Sequence, residues 1–398
     1  MASRVTTLRI ALVHEWLLTH GGSEEITGQL CQLFPEAELF TLVSDPVPSL
    51  RALIGDRRIH ASFLQRIPTA TRSHRRLLPL MPRAIESFDF TGFDLVISVS
   101  HAVAKGVRTA PGQPHLNICC SPIRYAWDLQ EQYLEESGLS RGAKGMAARY
   151  LLSRLRRWDK RTAGRPTQVM AISRFIAERI ERVWGRDSGI LYPPVATEYF
   201  TPAVDEFAAM RAGDTQFRGA TRESDLWVTA SRMVPYKRIP LIVEAFAQMP
   251  TRRLVVIGDG PEMPKVRAAA TPNVTLLGHQ PREALRDWLR RAQGFVFAAE
   301  EDFGIAPVEA LACGTPVVAY GRGGARETVV GLGSGAPATG VFFESQTADA
   351  IAGGVRALEA ALDIGEVTAA GCRAQGERFS EFVFRTGALE AVRRMTGR

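Results

Sequence analysis

The sequence predicts an α/β protein built from two Rossmann-like, doubly wound domains facing a central cleft. At 398 residues the chain is long for a single hydrophobic core, which favours two domains. Apolar runs of strand length alternate with helical patterns along the chain, the mark of parallel sheets. The alternation stops in "TEYFTPAVDEFAAMRAGDTQFRGATRES", residues 197–224, a polar and non-periodic stretch that reads as a hinge or linker. These observations give a first domain over residues 1–200, a linker at 201–224, a second domain over 225–375, and a C-terminal helix at 376–398 able to pack back on the first domain.

The expected strands of the first half are "RIALVH" (9–14), "ELFTLV" (38–43), "DLVISVS" (94–100), "HLNICC" (115–120) and "QVMAIS" (168–173). Those of the second half are "LWVTAS" (226–231), "RLVVIGDG" (253–260), "VTLLGH" (274–279), "GFVFAA" (294–299) and "TPVVAY" (315–320). Segments such as "SEEITGQLCQLF", "PLIVEAFAQM" and "REALRDWLRRA" carry helical periodicity between them. In doubly wound sheets ligands gather outside the carboxyl ends of the strands, where loops and helix N-termini converge. A substrate clamped between two such domains is shielded from water.

The composition, 45% hydrophobic and 23% charged, is that of a globular protein. No uninterrupted apolar run reaches the roughly 18 residues of a membrane span, and "RIALVH" reads as a first strand rather than a signal sequence. Cys31, Cys119, Cys120, Cys313 and Cys372 lie in apolar segments without metal-ligand spacing, as expected of buried thiols in a reducing cytoplasm. The net charge is +7 and nearly all the positive charge is arginine. Arginine clusters in "TRSHRRLLPLMPR" and "RGAKGMAARYLLSRLRRWDKRTAGR". Two readings stand: a solvated surface, or a face that meets anionic phospholipid headgroups or a phosphorylated acceptor. No nucleic-acid module is recognisable, so nucleic acid is not expected as a partner.

The richest stretch is "EEDFGIAPVEALACGTPVVAYGRGGARE", residues 300–327. It follows a strand, so Glu301 emerges at the sheet's carboxyl edge. Phe303-Gly304 makes a tight loop, and Gly permits close backbone approach to a ligand. A helix follows over about 306–312 with Pro307 in its first turn and Gly314 at its end. Its free N–H groups attract an anion, while Glu301 and Glu309 can both face one ligand and accept hydrogen bonds from sugar hydroxyls. Arg232 and Lys237, five apart in the loop after "LWVTAS", can neutralise a diphosphate. Gly21 and Gly22 stand between a strand and a helix without the G-x-G-x-x-G of a nicotinamide site. His101 ends a strand, and His14 is placed likewise. "SPIRYAWDL" gathers Arg124, Tyr125, Trp127 and Asp128 in one loop, where the aromatics either stack on sugar faces or anchor the loop in the core. No His, Cys or Asp grouping has metal-ligand spacing.

These motifs resemble those of retaining, GT-B-fold glycosyltransferases of the large family 4, and the resemblance covers essentially the whole chain. The E-x7-E stretch resembles that family's signature, "VHEWLLTHGGSEE" its first strand and Gly-Gly loop, and "SRMVPYKR" its phosphate-binding loop. "SPIRYAWDL" and "ILYPPVATEYF" are similar to a bacterial subgroup that adds mannose from GDP-mannose to polyprenyl-diphosphate-linked oligosaccharides. The resemblance implies a donor site of Gly21, Gly22, Arg232, Lys237, Gly278, Phe303, Gly304, Ile305 and Glu309, with the nucleotide base near Gly278. His101, Arg232, Lys237 and Glu301 are the implied catalytic residues. His14, Arg124, Tyr125, Trp127 and Asp128 are weaker candidates on the acceptor side, in the first domain. It also implies transfer without a metal or other cofactor, a glycan or lipid-linked glycan acceptor in bacterial surface polysaccharide synthesis, and residence in the cytoplasm or on the inner face of the plasma membrane. A UDP-sugar donor and a non-catalytic sugar-nucleotide-binding scaffold are the alternatives.

Overall fold

The computed structural model describes residues 8–128, 130–136, 138–139, 141–213 and 222–397. It divides into two compact units, one of Met1–Pro194 with Phe384–Arg398 and one of Val195–Val383.

The first unit is a parallel sheet of β1 (Ile10–Leu17), β2 (Glu38–Ser44), β3 (Ile59–Ala61), β4 (Leu95–Ser100), β5 (His115–Cys119), β6 (Gln168–Ala171) and β7 (Gly189–Ile190). Its order is β3-β2-β1-β4-β5-β6-β7, every pair parallel. Leu12, Leu39, Ile97 and Leu116 are fully or almost fully buried, as continuous apolar runs require when helices cover both sheet faces. β1 continues three residues past the expected end, because Trp16 and Leu17 keep pairing with Val43 and Ser44 of β2. His14 therefore lies inside the strand, not at its end.

The second unit is a parallel sheet of β8 (Glu223–Ala230), β9 (Arg253–Ile257), β10 (Val274–Gly278), β11 (Ala292–Phe297), β12 (Val317–Tyr320) and β13 (Gly340–Phe343). Its order is β10-β9-β8-β11-β12-β13. Trp227, Val256, Phe295 and Val318 form its buried core with Phe246 of the helix Ile239–Ala247.

The expected linker is partly regular structure. Val204–Arg211 is a helix of the second unit. It is held by buried Glu206, whose two oxygens accept from Arg222 Nε at 2.7 Å and Nη2 at 3.0 Å. Arg222 also reaches the carbonyls of Ala292 and Cys313. This ion pair replaces the apolar stripe that sequence periodicity would reveal. Residues 214–221 of that stretch lie outside the described residues. Toward the C-terminus two helices appear, Ala369–Glu377 and Glu381–Thr396. In the latter, Arg385 Nη1 donates to Gln29 Oε1 of the first unit's helix Gly22–Leu33 at 2.6 Å. The five cysteines form no disulfide. Among the described residues no helix is long and apolar enough to cross a membrane.

A buried polar knot fixes the first unit. Lys105 Nζ lies 3.0 Å from Asp159 Oδ1 and 2.8 Å from Thr162 Oγ1, under the ring of Trp184 at 4.6 Å. Asp159 Oδ2 accepts from the indoles of Trp127 at 2.8 Å and Trp184 at 2.7 Å. Removing one member leaves an uncompensated buried charge. Asp159→Ala should cost about 3–5 kcal/mol, read as a lower urea midpoint, and a loss under about 1 kcal/mol would contradict this account.

His115, also buried, sits 2.7 Å from Ser98 Oγ. Burial, helped by the charges of Arg186, Lys105 and Arg165, pushes its pKa down to about 3. The unfolded chain takes up that proton near 6.5, so the stability held above that pH falls as the pH drops from 6.5 toward 3. His115→Gln should flatten the dependence of thermal midpoint on pH across this window.

Candidate functional site

In the second sheet β8 lies between β9 and β11, so successive connections leave it in opposite directions. The carboxyl ends of β8 and β11 flank this switch point, where a crevice opens in doubly wound sheets. The loops that follow them carry Arg232, Lys237 and Glu301. Lys237 ends a short 3-10 turn, Pro235–Lys237, and its Nζ forms an ion pair with Glu301 Oε1. Both side chains are mostly enclosed, 16% and 15% exposed. The rings of Tyr236 and Phe297 lie 5.6 and 5.8 Å from the ammonium. Arg232 is exposed nearby in the chain. Its loop is pinned to "GDGPE": Met233 N–H donates to the Asp259 carbonyl at 2.9 Å, and Glu262 N–H to the Met233 carbonyl at 3.0 Å. Gly258 N–H in turn donates to the Gly278 carbonyl at 2.8 Å, which ties the loop after β9 to the end of β10.

After β11 the side chain of Phe303 turns inward, 3% exposed, its ring 5.4 Å from that of Phe379. It therefore offers a ligand its backbone. Gly304 caps the helix Ile305–Ala312 at φ 88°, a left-handed conformation that suits Gly. Ile305 starts that helix, and Glu309, half-buried, lies about one turn in. Gly323 and Gly324, within the same conspicuous stretch, have a structural role. Gly324 N–H donates to the Glu301 carbonyl at 2.8 Å. A Cβ on Gly323 would stand 2.5 Å from that carbonyl oxygen, and one on Gly324 2.4 Å from the Phe303 Cα. The bare backbone after β12 is what lets the Glu301 loop close down. Two adjacent glycines after a strand are the sequence signal for such an approach.

In the first sheet the equivalent switch point lies between β1 and β4. His101 follows β4, its ring 28% exposed. Beneath it is a residue the sequence reading passed over, Glu15 of β1, which is completely buried. Glu15 Oε1 accepts the backbone N–H groups of His101 at 3.1 Å, Ala102 at 2.9 Å and Ala104 at 3.0 Å. Its Oε2 lies 3.1 Å from His101 Nδ1. Burial alone would raise the Glu15 pKa, but the charge and hydrogen bond of His101, the charge of His14 and the Ala104 amide outweigh it and bring the pKa to about 2. His14 Nδ1 faces the Trp16 carbonyl at 2.9 Å. The side-chain nitrogen and oxygen atoms of His14, Glu15 and His101 gather within 4.8 Å of one another. The carboxylate is already committed to three amides and an imidazole.

Gly21 and Gly22 begin the helix Gly22–Leu33, with Glu24 and Glu25 in its first turn. These acids already complement the positive helix end. Of the loop after β5, Trp127 is tied to Asp159 as described, and Asp128 pairs with Arg179 at 2.6 Å and Arg182 at 3.1 Å. Both side chains serve the unit's own packing. Tyr125 is half-buried against the core, and Arg124 lies in the same short turn, Arg124–Ala126.

Two parallel, doubly wound units give this chain the GT-B fold, shared with solved structures on which it superposes. Residues 214–362 match the family "Glycosyl transferases group 1". The chain is 32% identical over 180 residues to the D-inositol 3-phosphate glycosyltransferase of Xylanimonas cellulosilytica, covering 41% of this chain and 42% of the relative. It is 29% identical over 211 residues to a GDP-mannose-dependent monoacylated alpha-(1-6)-phosphatidylinositol monomannoside mannosyltransferase of Corynebacterium glutamicum, covering 48% and 53%. The chain thus spans about half or less of the length of these relatives. Among solved structures, the sucrose-phosphate synthase of Thermosynechococcus elongatus superposes with a TM-score of 0.70 at 18% identity, covering 98% of this chain and 99% of that one. Anabaena HepE in complex with UDP superposes with a TM-score of 0.68 at 16% identity, covering 97% and 99%. At such identity the likeness is one of fold.

The Gly324 contact gives a direct test of the loop geometry. Gly324→Ala should destabilise the protein by about 1–3 kcal/mol, the usual effect of forcing a methyl into a filled site. Gly353→Ala, in the helix Ala348–Asp363 where the added Cβ would meet open space, is the control and should stabilise by up to about 1 kcal/mol.

Proposed function

We propose that the chain is a retaining glycosyltransferase that moves a hexose, mannose from GDP-mannose, to a glycan or polyprenyl-diphosphate-linked oligosaccharide. The observation that carries this reading is the enclosed Lys237–Glu301 pair at the switch point of the second sheet. The ammonium of Lys237, already facing the carboxylate of Glu301, is placed to receive an anion. When a nucleotide diphosphate arrives, the ammonium turns to it with Arg232, and Glu301 and the backbone of Phe303-Gly304 take the hexose hydroxyls. Glu309 holds the ribose, and the base lies near Gly278. The bond from the anomeric carbon to the phosphate oxygen breaks with its electron pair leaving on the diphosphate, where two cations stabilise it. The acceptor hydroxyl bonds to the same face of that carbon, and its proton passes to the departing phosphate oxygen. The family match over 214–362 and the mannosyltransferase relative support this class and this donor. Gly21, Gly22 and His101 complete the donor contacts, and the acceptor is assigned to the first unit, with His14, Arg124, Tyr125, Trp127 and Asp128 as its weaker candidates. No metal enters the reaction.

A second reading, a UDP-sugar donor, is favoured by the fold's likeness to HepE, which was crystallised with UDP-glucose. We further propose that the enzyme works at an anionic membrane surface. A groove of about 1060 Å³ in the first unit is lined by Arg75, Arg76, Arg154, Arg157, Arg161 and exposed Leu151, among others. Basic heads beside apolar stems suit phospholipid headgroups.

Three outcomes are expected. GDP-mannose raises the thermal midpoint more than UDP-glucose does; the reverse order favours the second reading. Lys237→Ala and Glu301→Gln each lower transfer at saturating donor by about 100-fold, and wild-type rates in either would remove the proposed roles. Chelation with EDTA leaves the rate unchanged.

A further inference from the structure

Glu15 is not among the donor-site residues, yet its single carboxylate fixes His101 twice. One oxygen gathers three loop amides, those of His101, Ala102 and Ala104, which sets where the loop after β4 stands. The other oxygen faces the ring nitrogen Nδ1, which is shut away from solvent. The ring as a whole is 28% exposed, so the edge left open to a ligand is the one bearing Nε2. Trp16 packs against the ring nearly edge-on, with centroids 4.7 Å apart, and restrains its rotation.

We propose that Glu15 is a positioning residue that holds His101 as an imidazolium, so that Nε2–H is a fixed, charged donor to an oxygen of the sugar being transferred. This rests on the transferase reading above. The neighbouring charges support it. From β1 come Glu15 and His14, from the helix Gly22–Leu33 comes Glu24, and from the turn after β5 comes Arg124. His74, in the turn His74–Leu77, also lies within range of the ring. Burial opposes the charged ring, but the charge and hydrogen bond of Glu15, aided by Glu24, overcome burial and Arg124 and hold the His101 pKa above its ordinary value of 6.5. His74, by contrast, is held low by its own burial and adds little competing charge near neutrality. The pairing stabilises the fold fully below 6.5 and is lost as the pH rises through the higher folded value. A charged Nε2–H bonds a sugar oxygen more strongly than a neutral one.

The decisive experiment titrates the histidine ring nitrogens by NMR in the wild type and in Glu15→Gln, beside transfer rates from pH 5.5 to 9. Glutamine keeps an oxygen for the three amides but sets an NH2 donor against Nδ1, so both the negative charge and the acceptor for a protonated ring are removed. The expected results are a wild-type His101 protonated on both nitrogens and titrating above 6.5, and a midpoint at least one unit lower in the variant. The alkaline limb of the rate profile moves down by the same interval, giving about a tenfold loss at pH 8 and little at pH 5.5. A wild-type ring that titrates at or below 6.5 in an active protein overturns the inference alone, and this arm stands even if the variant does not fold. A uniform loss of rate at every pH with an unchanged titration overturns it too, as would a stoichiometric metal ion found on the three side chains. A wild type inactive with every sugar nucleotide, yet with the paired imidazolium visible, instead sinks the transferase reading and with it the role given to Glu15.

Discussion

The parallel pairing of the first strand with the fourth is the constraint from which the functional chemistry follows. In each sheet two strands lie on one side of the first strand and the rest on the other. The fourth strand must then lie directly beside the first, and the loops leaving their carboxyl ends are thrown together although far apart in sequence. Parallel strands allow no alternative, because every chain exit sits on the same edge.

Both units use that edge in the same way with the charges exchanged. In the first, the carboxylate of Glu15 rides on β1 and the imidazole of His101 follows β4. In the second, the ammonium of Lys237 follows β8 and the carboxylate of Glu301 follows β11. Each pair is enclosed enough for its attraction to be much stronger than in water, and each leaves one partner reachable. A buried pair of this kind is a modest source of net stability but a sharp determinant of where a loop stands. That is what a site for a charged, multi-hydroxyl ligand needs.

The rest of each unit serves to keep those edges still. The Lys105–Asp159 knot locks the long helix Gly142–Thr162 and the turn bearing Trp127 against the first sheet. Arg222 performs the matching task in the second unit, joining the helix Val204–Arg211 to the start of β11 and the end of the helix Ile305–Ala312. Arg373 adds to it by donating to the carbonyls of Thr197, Phe200 and Ala312. In each case a buried, multiply bonded charge substitutes for apolar packing at a place where several chain ends meet.

The long central strands were legible in the sequence because burial on both faces demands unbroken apolar runs, and "LVISVS" or "RLVVI" admits little else. The loop residues Lys237, Glu301, Gly304 and Glu309 were legible as chemistry, since a lysine in a chain with so few of them, and acids around an apolar helix start, have local signatures. β3, β7 and β13 were not, being short strands whose pairing comes from their neighbours, nor was the helix at Val204–Arg211, which buries a glutamate where periodicity looks for an aliphatic residue. Glu15 escaped notice because an acid between His14 and Trp16 looks like a strand's polar end. Only the arrival of the loop after β4, eighty-odd residues later in the chain, turns it into the centre of a cluster. Sequence alone thus determined which long segments are central strands and which loops carry charge, both of which local burial and residue type dictate. Tertiary structure decided which charges meet, because pairing across a sheet depends on strand order, and strand order is a property of the whole folded unit rather than of any stretch within it.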